Sequence, residues 1–333
     1  MRKRLLPILA IAAAALLLAL PLLAARPLDD ALLFVPADSA SVGMVRLADL
    51  RTSPLSSRLF EECDHFTVDG DAARFLEDAK LDAKHDVDVV VVAGSPKGGS
   101  ASGLVVFEGR FDPDRLASAL ATRGAVKKGD YFLLPEHRNH GEKNGDAALA
   151  LVGRHFVVAG TEDAVERALA QKAAGGAGFG SGHGLGRELS RIETGATAWV
   201  LVDTARFPEL REKASHVHID GDVNGHPIPA ILGAMKSISL LSFQATAKGD
   251  ALKLEASGVT ADAETRDLLE DTLKGALAAF RLVMQDKPDA VAMLRRFKVT
   301  NGRDAVTISG TLPGAAVRAI VEKRAAVKTA STN

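Results

Sequence analysis

The feature that most constrains the fold of this chain is an internal repeat: residues 40–171 and 196–325 resemble each other. Each copy opens on an alternating apolar strand, and the phrase His65-Phe-Thr-Val-Asp-Gly-Asp71 has a counterpart in His216-Val-His-Ile-Asp-Gly-Asp222. Self-similarity on this scale indicates one supersecondary unit that occurs twice. The order of strand and helix patterns predicts an α+β fold: two tandem copies of a β-α-β-β-α-β-β-α unit, with mainly antiparallel sheets and helices on one face.

The repeat also predicts how the chain is divided. A stretch rich in glycine, Gly175 to Gly186, separates the two copies. It fits neither dinucleotide-binding nor P-loop spacing, so it is interpreted as a flexible linker. The predicted parts are a signal peptide or N-terminal membrane anchor (1–25), a first α+β repeat (26–172), a Gly-rich linker (173–195), a second α+β repeat (196–326) and a disordered tail (327–333).

The N-terminus predicts export. Met1-Arg-Lys-Arg4 is basic, and the 21 residues from Leu5 to Ala25 carry no charge. Such a segment is either a secretory signal peptide or a transmembrane helix. In both cases the positive residues stay in the cytoplasm and the rest of the chain crosses the membrane. We therefore expect a periplasmic or other extracytoplasmic protein, secreted as a soluble body or anchored by its N-terminal helix.

Composition excludes several classes of protein. The net charge is −1, and subtracting the +3 of residues 1–25 leaves about −4, which is unsuited to nucleic acid. The single cysteine, Cys63, cannot form an intramolecular disulfide, so the fold depends on core packing. Aromatic residues make up 5% of the chain, which argues against a carbohydrate-binding surface of stacked rings.

The segment 216–226 is the strongest candidate for a metal site, because it combines histidines with acidic and amide side chains. Asp220, Asp222 and Asn224 match the opening of a calcium loop. Ile231 stands where that loop needs a bidentate acidic residue. The sequence therefore provides the first ligands of a calcium loop but lacks the last one.

Two further interpretations of this segment stay open. The three histidines could bind a transition metal such as zinc. Alternatively, Asp-Gly-Asp forms a tight turn that caps the next helix, and the comparison of the copies favours this, because only the turn is shared. The candidate metal ligands are His216, His218, Asp220, Asp222, Asn224 and His226; no catalytic or cofactor-binding residue is predicted.

Other candidates are weaker. His137 and His140 lie in a polar loop that the second copy lacks. Four carboxylates could be paired as acid and base, but the sequence does not bring any two of them together. These are Glu188, Glu193, Asp203 and Glu209.

Several short phrases are similar to those of uncharacterised exported bacterial proteins of a domain-of-unknown-function family. They are Phe34-Val-Pro-Ala-Asp-Ser-Ala, Arg46-Leu-Ala-Asp-Leu, Arg110-Phe-Asp-Pro-Asp-Arg-Leu and Val158-Ala-Gly-Thr-Glu-Asp-Ala-Val. The resemblance implies a bacterial envelope protein and no particular activity.

We therefore expect a non-catalytic binding or structural protein, attached to the membrane if residues 1–25 are uncleaved. The alternatives are a calcium- or zinc-binding protein, a metal-dependent hydrolase that uses residues 216–226, and a lipid or apolar-ligand carrier with its ligand between two sheets.

Overall fold

The computed structural model describes residues 30–57, 71–97, 100–135, 147–175, 178–207 and 236–319. Within this part of the chain, no helix is long and apolar enough to span a membrane. The predicted export segment 1–25 and the tail 327–333 lie outside it.

The described strands form one antiparallel sheet of twelve strands, in the order β11-β12-β10-β9-β8-β1-β2-β3-β7-β6-β5-β4. The predicted antiparallel α+β architecture is confirmed. The expectation of more than one sheet is wrong, because β1 and β8 pair along their length and join the two halves. The strands are β1 (Ser41–Arg46), β2 (Val87–Lys97), β3 (Ser100–Gly109), β4 (Val126–Lys128), β5 (Tyr131–Leu133), β6 (Ala147–Val152), β7 (Phe156–Thr161), β8 (Ala198–Asp203), β9 (Ile238–Ala247), β10 (Ala251–Thr260), β11 (Phe297–Asn301) and β12 (Ala305–Pro313).

Two of the α-helices, α4 and α6, begin where local sequence signals predict. Asp112 precedes α4 and accepts a hydrogen bond from the Arg115 amide at 3.2 Å, while Pro113 occupies the first turn. Asp262 caps α6 in the same way, through the Thr265 amide at 2.7 Å. The helices are α1 (Leu47–Thr52), α2 (Asp71–Ala79), α3 (Ala83–Asp86), α4 (Pro113–Thr122), α5 (Glu162–Ala173), α6 (Ala263–Val283) and α7 (Pro288–Leu294), and a further helix begins at residue 314.

The helices cover both faces of the sheet, which corrects the prediction of helices on one face. We call the face that carries Met44, Val91 and Val106 the first face; α5 packs there through Ala164 and Val165. Helices α1, α2, α4, α6 and α7 pack on the opposite, second face. The reason lies in β2, whose nearly continuous valines make both of its faces apolar, so both need cover.

A single row of side chains shows how the first face changes along the sheet. Directly opposed residues on antiparallel strands share a face. From β6 to β8 the row is apolar: Ala150, Val158, Val106, Val91, Met44 and Trp199. From β9 to β11 it is polar: Gln244, Glu255, Ser309 and Lys298. The boundary falls between Trp199 and Gln244, which lie side by side.

The Gly-rich segment between the halves is packed in its described part, which corrects the expectation of a flexible linker. It forms two 3₁₀ helices, Gly178–Ser181 and Gly184–Arg191. Phe179 is completely buried in the first-face core. An added Cβ at Gly186 would lie 1.7 Å from the Phe179 carbonyl oxygen, so this glycine permits a close backbone contact. At Gly186, the missing side chain serves close packing of the backbone.

Candidate functional site: the polar face of the sheet

The residues predicted as metal ligands, in the segment 216–226, lie outside the described residues, as do His137, His140 and Glu209. Within the described ranges, no group of three or more His, Cys, Asp or Glu side chains is arranged to hold a metal ion. The metal interpretations therefore stay predictions.

The structure instead brings together a polar surface on the first face of β9 to β12. Its side chains alternate along each strand with apolar residues that face α6 and α7. We call this surface the polar face; its members are Ser242, Gln244, Thr246, Lys253, Glu255, Ser257, Lys298, Thr300, Thr307, Ser309 and Thr311.

Burial falls steadily across the polar face. On β9, Ser242, Gln244 and Thr246 are buried. Residues on β10 are half-buried, and Lys298 and Thr300 on the edge strand β11 are exposed. The polar face is thus closed at the centre of the sheet and open toward the β11 edge.

An ion-pair network lies at the closed side of the polar face. The Lys253 Nζ is 2.9 Å from Glu193 Oε2 and 3.4 Å from Glu255 Oε2. The Lys248 Nζ is 2.9 Å from the other Glu193 oxygen, Oε1. Two ammonium groups therefore bracket one carboxylate that follows the 184–191 helix.

These contacts shift the protonation equilibria. Burial tends to raise the pKa of Glu193, but hydrogen bonds from Lys253 and Lys248 outweigh it, and the net pKa is lowered. The hydrogen bond to Glu193 raises the pKa of Lys253, opposed by burial and aided by Glu255. Lys253 is consequently held as an ammonium, which suits hydrogen-bond donation and not nucleophilic attack.

Gln244 connects this network to the backbone. Its Oε1 accepts a hydrogen bond from the Glu193 amide at 2.6 Å. Its Nε2 donates to Glu255 Oε1 at 2.9 Å and to the Arg191 carbonyl at 3.3 Å. One buried amide side chain thereby ties the 184–193 segment to two strands of the sheet.

A second polar cluster lies at the opposite end of the sheet. The Tyr131 hydroxyl is 2.6 Å from Glu162 Oε1 and 2.6 Å from Glu166 Oε1. Lys128 also binds Glu162, at 2.6 Å. The hydrogen bond to Glu162, with that to Glu166 and burial, raises the pKa of Tyr131 to about 12. The cluster fastens β5 to the first turns of α5, which is a structural role.

The remaining predicted carboxylates have separate partners. Glu188 binds Arg191 at 2.7 Å and Arg187 at 3.1 Å. Asp203 accepts a hydrogen bond from the Ala205 amide at 3.1 Å and caps a short turn. Neither side chain hydrogen-bonds to Glu193. The three described carboxylates, Glu188, Glu193 and Asp203, therefore form no acid–base pair with one another.

Sequence reasoning named Glu193 but missed the polar face around it. The signal was present, since Lys253, Glu255 and Ser257 alternate with apolar residues along β10 and so share one face. Chemically, the polar face offers hydroxyl, amide, carboxylate and ammonium groups, and none of its eleven side chains is His or Cys. It is equipped to bind a polar ligand through hydrogen bonds.

No protein-family model and no curated protein matches the chain. Among solved structures, the chain is similar to crystal forms I and III of TP0453, a Treponema protein. Both have a TM-score of 0.47 and 10% identity over 89% of this chain, and they are covered over 99% and 100% of their own length.

Proposed function

We propose that this chain is an exported bacterial envelope protein that acts by binding a protein partner, without catalysis, through the polar face. The observation that carries the proposal is the change of the first face from apolar to polar at Gln244. The polar side chains of β10, β12 and β11, the three strands of the polar face nearest the sheet edge, are available for hydrogen bonds with a partner. The uncharged segment from Leu5 to Ala25 supports export.

The internal repeat accounts for how the polar face arose in evolution. We propose that the halves are two copies of one unit, related by the antiparallel pairing of β1 with β8. The β2–β3 pair of the first half then corresponds to the β9–β10 pair of the second. Val89, Val91 and Ala93 face the core in the first half, where Ser242 and Gln244 stand in the second. Divergence of the second copy produced the polar face.

The chemistry of the polar face favours a protein over the other ligands. Its side chains stand in cross-strand rows such as Ser242–Ser257–Thr307–Thr300, which offer many separate hydrogen-bonding groups. The strands of the described residues form one sheet, so this part of the chain has no space between two sheets for an apolar ligand.

The experiment places a photo-crosslinking amino acid at Thr311, an exposed member of the polar face, in the full chain produced in bacteria. The control position is Val126, which is 64% exposed on the far edge strand β4. We expect a discrete crosslinked protein at Thr311 that is lost when Ser309→Arg is added. Equal crosslinking at the two positions would overturn the role of the polar face.

Two further measurements address the remaining parts of the proposal. Cell fractionation with N-terminal sequencing tests export, and accumulation of the intact chain in the cytoplasm would contradict it. A calcium or zinc titration tests the metal alternative, because an ion that binds only the native state must raise the melting temperature.

A further inference from the structure

Helix α6 exposes three large apolar side chains, and the two most exposed are Leu268 and Leu282. Leu268 is 68% exposed and Leu282 is 66% exposed. They are fourteen residues apart, which places them on the same side of the helix at a separation of about 21 Å. Between them, Gly275 and Ala278 are also exposed, so the helix backbone is accessible along this line. Isolated exposed leucines are common, but two on one helix face define a stripe.

A groove of about 780 Å³ lies beside Leu282, between α6 and α7. Its apolar lining includes Ala278 and Val291, and its cationic lining is Arg281, Arg295 and Arg296. Arg281 donates hydrogen bonds to the Leu294 and Phe297 carbonyls and so fastens α7 to α6.

The two exposed arginines of the groove have no described carboxylate in contact. Arg295 and Arg296 follow the end of α7, and neither forms an ion pair within the described ranges. The groove therefore presents unneutralised positive charge next to exposed apolar surface. An acidic and apolar surface would complement it.

The N-terminal half of α6 is both acidic and apolar. Glu264, Asp267 and Asp271 are exposed there around Leu268. The same helix is thus acidic around one exposed leucine and lies beside arginines at the other. Two copies of this surface are therefore complementary when their α6 helices are antiparallel, because the acidic end of each then faces the arginines of the other.

We propose that this surface binds a second copy of the chain, with the two α6 helices antiparallel and crossing near Gly275. Leu268 of each copy then contacts Leu282 of the other, and Asp271 lies close to the arginines at the end of α7. Glycine at the crossing allows the helix axes to approach to about 8 Å. A parallel arrangement would place like charges together and is disfavoured.

Disulfide crosslinking tests the arrangement in the full chain. Two differently tagged chains carry Leu268→Cys and Leu282→Cys, both with Cys63→Ser, and are produced together and mildly oxidised. We expect a mixed dimer that is at least tenfold more abundant than like-with-like dimers. Like-with-like disulfides are not expected, because the two copies of residue 268 would lie about 21 Å apart. A disulfide spans a Cα separation of at most roughly 7 Å.

The control chain carries Val126→Cys, since that residue is 64% exposed on the far edge of the sheet. Mixed dimers no more frequent than those of the control would overturn the proposal. Preferential like-with-like dimers would overturn the antiparallel arrangement.

Charge exchange gives a second test that does not depend on cysteine chemistry. We expect Arg295→Glu with Arg296→Glu to raise the dimer dissociation constant at least tenfold in sedimentation experiments, and Asp271→Arg to restore much of the loss. Unchanged Trp199 fluorescence shows that each variant is folded. An unmodified protein that sediments as a monomer at every concentration would refute the proposal.

Discussion

Replacing Gln244 with methionine tests whether the buried amide organises the polar network. Methionine has a similar length but can neither donate from an amide nor accept as one. The substitution removes the bonds to the Glu193 amide, to Glu255 and to the Arg191 carbonyl. Gln244 is 5% exposed, so water has limited access to the groups left behind.

The expected cost follows from these three hydrogen bonds. A bond to a charged group contributes about 1.5–3 kcal/mol and a neutral one about 0.5–1.5 kcal/mol. The 3.3 Å bond to the Arg191 carbonyl lies at the weak end of that range, and the half-buried Glu255 can recover a bond with water. We therefore expect a loss of about 2–4 kcal/mol in the free energy of unfolding.

The assay is urea unfolding followed by tryptophan fluorescence. Trp199 is the only tryptophan, is 2% exposed, and lies directly opposite Gln244 on β8. The matched control is Thr246→Val, because Thr246 is 6% exposed on the same face of β9 and makes one weak contact, 3.5 Å from Glu193. We expect this control to cost less than about 1 kcal/mol. A loss from Gln244→Met no larger than that of the control would refute the reasoning.

Three other predictions concern single side chains. Tyr131, the only tyrosine, should ionise near pH 12 in absorbance at 295 nm, and Glu162→Gln should bring the midpoint closer to 10; a wild-type midpoint at 10 contradicts the hydrogen bond between Tyr131 and Glu162. Phe179→Ala should destabilise the protein by about 3–5 kcal/mol in urea unfolding, whereas a flexible linker predicts no change. The lowered pKa of Glu193 contributes stability above its ordinary value of 4.5 that is lost as the pH falls further. Glu193→Gln should therefore flatten the dependence of the melting temperature on pH below about 4.5; an unchanged acid profile excludes this role.

Part of the fold could be predicted because the deciding signals are local. The caps at Asp112 and Asp262 were visible as a polar residue ahead of a helical pattern, and both helices begin there. The pairing of β9 with β10 could be predicted in the same way, since their short connection leaves little choice of partner.

The candidate site could be predicted less well, because its contacts join distant segments. Glu193 and Lys253 are sixty positions apart, and Tyr131 and Glu162 are thirty-one apart. No pattern in a single sequence distinguishes these partners from many other pairs of acid and base. The segment 216–226 was predicted as a metal site because its polar residues are close together in the sequence, and it lies outside the described residues.

By itself, the sequence determined which face of each strand is polar. The alternation in β10 places Lys253, Glu255 and Ser257 on one side, because side chains on a strand alternate with period two. Only the tertiary structure decided which strands from distant parts of the chain lie next to each other. The pairing of β1 with β8 merged the two halves into one sheet, and the burial of Phe179 turned an expected linker into part of the core. Those outcomes depend on contacts between residues far apart in the chain, whose free energy no local pattern records.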